Sequence, residues 1–126
     1  MAHHVSKARF GELVEEALAE LPPQFAEHLE EVPIEVRDRP TSRQLKSLHP
    51  SRGNVLLGLY DGLPISARSV EHSGVRPAVI YLFQLNIEQA SGGERELIEQ
   101  VRKTVLHEIG HHFGMTEEDL DELGYG

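Results

Sequence analysis

From Ser6 onward, apolar residues recur with the spacing of one helical face: Phe10, Leu13, Val14, Ala17, Leu18 and Leu21 form a continuous stripe. Ser6 is placed to cap the start of this helix, and Pro22-Pro23 ends it. Pro23 suits the first position of a second, short helix that turns Phe25, Ala26 and Leu29 inward. Glu12, Glu15, Glu16, Glu20, Glu27, Glu30 and Glu31 form the outer faces. Val32, Ile34 and Val36 then alternate with polar neighbours, which predicts a strand over 32–37. A second strand is expected over Asn54 to Tyr60, closed by the turn signal Asp61-Gly62. A third runs from Ala78 to Ile87, and its apolar core Val79-Ile80-Tyr81-Leu82-Phe83 suits a buried position. After the break Ser91-Gly92-Gly93, helical spacing returns in Leu97, Ile98, Val101, Val105 and Ile109. Gly114 stops that long helix, and Thr116 with Asp119 has the spacing of a capping box opening a last helix through Leu123. The order of elements predicts an α+β domain with a small mixed sheet.

Composition narrows the function classes. The 126 residues fit a single domain, 1–126, and the formal net charge of −9 argues against nucleic acid as a partner. The one basic stretch, 37–52, has no interleaved aromatic and reads as a solvated loop with a short helix. No apolar run approaches the ~18 residues of a membrane span, and the first residues lack the apolar stretch of a signal peptide. There is no cysteine, which removes disulfides, thiolate zinc sites and cysteine nucleophiles, and fits a cytoplasmic protein. The pattern is also compatible with a homo-oligomer. Residues 116–126 carry five acids and no base, which on composition alone is a solvated acidic tail.

The long helix changes that reading. It carries His107-Glu108-Ile109-Gly110-His111-His112-Phe113-Gly114-Met115-Thr116-Glu117. Histidines four apart stack on one helical face about 6 Å apart along the axis, so both imidazoles can reach one divalent ion. Glu108 lies one step round from His107, suited to taking a proton from a metal-activated water. A His-Glu-x-x-His alone would arise by chance in roughly 7% of chains of this composition; the added glycine and acid reduce this to about 0.1%. Two histidines leave a catalytic zinc site one protein ligand short. Gly114 can adopt a left-handed conformation and turn the chain back, so that the carboxylate of Glu117, six residues past His111, returns to the ion. A third histidine at that position, with a later methionine turn, is absent. Only fifteen residues follow His111, too few for a third ligand on a separate downstream helix.

These residues resemble the minimal zincins, small bacterial zincin-like metallopeptidases with an HExxHxxGxxD motif. The amphipathic N-terminal helix, the stretch Leu57-Gly58-Leu59-Tyr60-Asp61-Gly62-Leu63-Pro64 and the strand before the motif helix extend the resemblance to roughly residues 8–124. The resemblance implies a minimal zincin-like domain: N-terminal helices, a mixed sheet of three to four strands, a long metal-binding helix and a short C-terminal helix. It also implies one Zn2+ held by His107, His111 and the acid at position 117, with Glu108 as general base. The family favours aspartate where this chain has Glu117, so Glu118 and Asp119 stay open as the third ligand. Zincins often use a tyrosine or histidine to stabilise the oxyanion, and Tyr125 and Tyr60 are the candidates for that role or for bordering the cleft. His112 reads as packing or support for the site, and His72 as a loop histidine; His3, His4, His28 and His49 receive no role. The expected function is a zinc metallopeptidase acting on a peptide or protein substrate. The alternative is a metal-stabilised binding or regulatory module with little hydrolytic activity. Small zinc ribonucleases are a third class, disfavoured by Glu108 and the acidic surface.

Overall fold

The computed structural model describes residues 3–46, 56–62 and 78–122, with Glu117 placed through its main chain. The first helix, α1, runs Lys7–Ala19, with the Ser6 side chain accepting from the Arg9 N–H as the pattern predicts. Phe10, Leu13 and Ala17 are fully buried and pack on the long helix α5, Glu94–His112. Arg9 ties the two together from outside, its guanidinium donating to both Glu94 oxygens at 3.1 and 2.7 Å. Pro23 opens α2, Pro23–Ala26, which tightens into a 3-10 turn over Glu27–Glu30.

Among the described residues three strands form a mixed sheet: β1 (Ile34–Arg37), β2 (Gly58–Asp61) and β3 (Val79–Phe83), in the order β1-β3-β2. β3 is central, as its continuous apolar run requires, parallel to β1 and antiparallel to β2. β1 begins two residues later than the alternation suggests, because Pro33 has no N–H to give the ladder; its carbonyl accepts from Ile80 instead. The described residues between β1 and β2 include a short helix, α3, Ser42–Leu45, capped by a reciprocal Thr41–Gln44 box. Residues 54 and 55 of the second expected strand lie outside the described residues.

The third expected strand is half helix. Residues 84–89 form α4, Gln84–Gln89, with Gln84, Ile87 and Glu88 buried at helical spacing. The buried Glu88 carboxylate explains the switch: it accepts from Gln84 Nε2 at 2.8 Å, His4 Nδ1 at 2.9 Å and the Val5 N–H at 3.3 Å. Those bonds satisfy a charge that a strand over the same residues would place on a different face. Leu97, Val101, Val105 and Ile109 of α5 are fully buried, and the last helix, α6, spans Glu117–Glu122. No helix among the described residues is long and apolar enough to cross a membrane.

Candidate metal centre

The candidate ligands His107 and His111 sit on the last two turns of α5. The apolar stripe that seats this helix against the core also sinks its C-terminal half, leaving His107 and Glu108 each only 3% exposed. The His107 and His111 rings lie edge to face with centroids 5.1 Å apart. One ligand atom from each of His107, Glu108 and His111 lies within 4.8 Å of the other two.

The helix end sets what one ring nitrogen of His111 meets. Gly114 has a φ of 85°, the left-handed conformation the sequence predicts for it. The Met115 N–H donates to the Gly110 carbonyl at 3.0 Å and the Gly114 N–H to that of His111 at 2.9 Å, the paired bonds of a Schellman turn. This brings the Met115 carbonyl to 3.1 Å from His111 Nδ1. A carbonyl only accepts, so Nδ1 carries the hydrogen and Nε2 the lone pair, the state that binds a metal.

Glu108 is fixed from the sheet. Its Oε1 accepts from the Tyr60 main-chain N–H at 2.8 Å. β2 reaches that close because residue 58 is glycine: a Cβ there would lie 2.5 Å from Thr104 Cγ2 on α5 and 2.9 Å from the Tyr81 carbonyl. The Tyr60 hydroxyl pairs with Nδ1 of His112 at 2.9 Å, and His112 is fully buried. Tyr60 thus touches two positions of α5, Glu108 through its main chain and His112 through its side chain.

The chain beyond the Schellman turn returns against α5. Thr116 and Asp119 form the expected capping box, with the Asp119 N–H donating to Thr116 Oγ1 at 3.1 Å and the Thr116 N–H to Asp119 Oδ2 at 2.9 Å. Leu120 of α6 is fully buried over Gly110, where an added methyl would overlap its Cδ2. Glu117 is the first residue of α6; its side chain, with Tyr125 and His72, falls outside the described residues. Glu118 and Asp119 are exposed. The roles of Gly110, Gly58 and the Tyr60 N–H are not visible in the sequence as such, since each depends on a partner brought close by folding.

Comparison with known proteins decides the family. The model of the zincin-like metallopeptidases matches residues 29–126. The chain belongs to this family. A conserved hypothetical protein from Thermo thermophilus shares the fold, with a TM-score of 0.53, 23% identity, and coverage of 94% of this chain and 97% of that one. No curated protein gives a significant match. The zincin-like family implies zinc, and the donors present fit it: two imidazoles, one with its lone pair assigned by the Met115 carbonyl, and a buried carboxylate beside them. Zinc is borderline in softness and takes imidazole nitrogens as ligands, and a carboxylate beside it is suited to act on a metal-bound water.

Proposed function

We propose that this zincin-like protein is a zinc-dependent peptidase, with His107, His111 and Glu117 holding the ion and Glu108 as general base. The observation that carries the reading is the buried Glu108 carboxylate, pinned by the Tyr60 N–H within one compact group with two histidines. Burying a carboxylate costs several kcal/mol unless charge or hydrogen bonds offset it, and a divalent cation supplies that charge.

When bound, zinc polarises the scissile carbonyl and makes a water molecule acidic near neutral pH. Glu108 accepts one proton of the attacking water at its carboxylate as the water oxygen bonds to the carbonyl carbon. Glu108 then delivers that proton to the amide nitrogen as the C–N bond breaks, giving a carboxylic acid and an amine. The Tyr60 N–H holds the carboxylate in place through this exchange, which makes Tyr60 a positioning residue.

Glu117 is favoured over its neighbours as third ligand. Asp119 already accepts from the Thr116 N–H, and Glu117 lies three residues before Leu120, the residue of α6 that packs on α5. Among the described residues β2 is at the sheet edge and its main chain contacts the base at residue 60, so an extended peptide pairing along that edge would pass beside Glu108.

The variant Glu108→Gln tests the proposal. Its amide oxygen can still accept from Tyr60, so the fold and zinc content should be retained while peptide hydrolysis falls by about 10²–10⁴-fold. A binding module would keep its function in this variant. Hydrolysis undiminished in Glu108→Gln would contradict the assignment of the base.

A further inference from the structure

A second group of side chains able to ligate a metal gathers at the C-terminal end of α5. His28 and Glu31, three residues apart in and just past the 3-10 turn, meet His112 of the long helix; one ligand atom from each lies within 4.8 Å of the others. We infer that His28, Glu31 and His112 form a second divalent-cation site, distinct from that of His107 and His111 and suited to zinc.

The distances fit a shared metal ion. Glu31 Oε2 lies 3.3 Å from His28 Nδ1 and 3.4 Å from His112 Nε2. A charge-assisted hydrogen bond between imidazolium and carboxylate settles near ~2.8 Å. Two ligands on a tetrahedral zinc with bonds of roughly 2.0–2.1 Å are instead about 3.3–3.4 Å apart. Both separations match the tetrahedral edge, and both share one carboxylate oxygen.

The surroundings fit as well. His112 is fully buried, and its Nδ1 pairs with the Tyr60 hydroxyl at 2.9 Å, so the other nitrogen of a ring held on two sides is the one aimed at Glu31. The His28 ring is fixed edge-on to Phe113 at 4.5 Å, and Phe25 packs edge-on to the same Phe113 at 5.8 Å, giving the site an apolar wall. Glu31 is 59% exposed, which leaves the remaining coordination positions facing water. Two imidazole nitrogens and one carboxylate oxygen select a borderline ion such as Zn2+ or Co2+ over Mg2+ or Ca2+, which prefer oxygen donors alone. An ion here clips the 3-10 turn onto α5 one residue past the His-Glu-x-x-His motif.

The test is a titration of the metal-free full chain with Co2+ and then Zn2+, read as equivalents bound and as the visible absorption of tetrahedral Co2+. Three variants are compared with the natural sequence: Glu31→Gln, His28→Gln and His111→Gln. Glu31 is exposed and His28 partly buried, and circular dichroism checks that their variants fold. Two equivalents in the natural chain are expected, falling to one in each of the three. A single equivalent lost from Glu31→Gln and kept by His111→Gln would also support this site, and would contradict a metal at the motif. One equivalent lost from His111→Gln alone, or two equivalents that survive both Glu31→Gln and His28→Gln, would overturn it.

Discussion

Replacing Gly110 with alanine probes the link between the fold and the metal more sharply than any ligand deletion. Gly110 lies inside the motif but offers no ligand. A methyl built on it overlaps Leu120 Cδ2 and stands 3.4 Å from Cδ1 and Cγ of the same side chain. Because all three outer carbons are close and Leu120 is fully buried, rotating the leucine exchanges one clash for another. Restoring ordinary contact at about 3.5–4.0 Å requires α6 to move by roughly 1 Å. Overpacking of this kind costs about 1–3 kcal/mol, and alanine returns about 1 kcal/mol through its better helix propensity. The net change in stability of the metal-free chain is therefore small, between about 0 and 2 kcal/mol. The effect on the ion is larger, because zinc–oxygen distances tolerate only about ±0.2 Å and α6 begins at Glu117. Competition against a chromophoric chelator should show zinc affinity falling at least ~10-fold in Gly110→Ala. Thermal unfolding of the metal-free protein should shift by no more than roughly 10 °C. Adding Leu120→Ala makes room for the methyl and should recover part of the affinity relative to the two single variants. A folded Gly110→Ala protein with unchanged zinc affinity would refute the claim that α6, seated on Gly110, carries the third ligand.

Other expectations follow from the same contacts. Glu117→Ala should weaken zinc binding far more than Glu118→Ala or Asp119→Ala, measured in the same competition; equal losses would mean that the carboxylate ligand is misassigned. In Gly58→Ala the new Cβ meets the Tyr81 carbonyl, which cannot rotate away, so urea unfolding should report a loss of about 1–3 kcal/mol, and an unchanged midpoint would count against the close packing of β2 on α5. Burial pushes the Glu88 carboxyl up, but hydrogen bonds from Gln84, His4 and the Val5 N–H outweigh it and hold the group below its ordinary value. A carboxyl depressed on folding contributes stability above its unfolded pKa of about 4.3 and loses that contribution as pH falls through the folded value. The stability difference between the natural chain and Glu88→Gln should therefore be constant from about pH 7 to 5 and shrink below about pH 4.3. A difference that stays constant down to about pH 3 would show that Glu88 is not held in this way.

What the sequence discloses is mostly what neighbours along the chain decide. The Ser6 cap, the Thr116–Asp119 box and the left-handed Gly114 each depend on residues within a turn or two, and each is present where the pattern places it. The α+β class and the buried central strand follow from periodicity in the same way. The helix over 84–89 is misread because no glycine or proline separates it from Phe83, and its inward face holds Gln84 and Glu88 instead of apolar residues alone. Those two are buried only because His4 and Val5 arrive from the other end of the chain, with Glu88 lying 84 and 83 residues beyond them. The motif gives His107, Glu108 and His111 directly, whereas the Tyr60 N–H that fixes Glu108 is 48 residues away and, being main chain, has no signature in side-chain type. His28 and Glu31 at a spacing of three did offer a local signal of a ligand pair. Nothing along the chain joins them to His112, which stands 81 residues beyond Glu31.

The central claim is that this zincin-like protein hydrolyses peptide bonds with zinc and Glu108. Digestion of a diverse peptide library, read by mass spectrometry, tests it most directly when the zinc-loaded chain is run beside the metal-free chain and the zinc-loaded Glu108→Gln variant. Cleavage by the zinc-loaded natural chain, absent from the metal-free sample and reduced by about 10²-fold or more in Glu108→Gln, is the result predicted. No cleavage of any peptide by the fully loaded chain, or cleavage equal in all three samples, would contradict it.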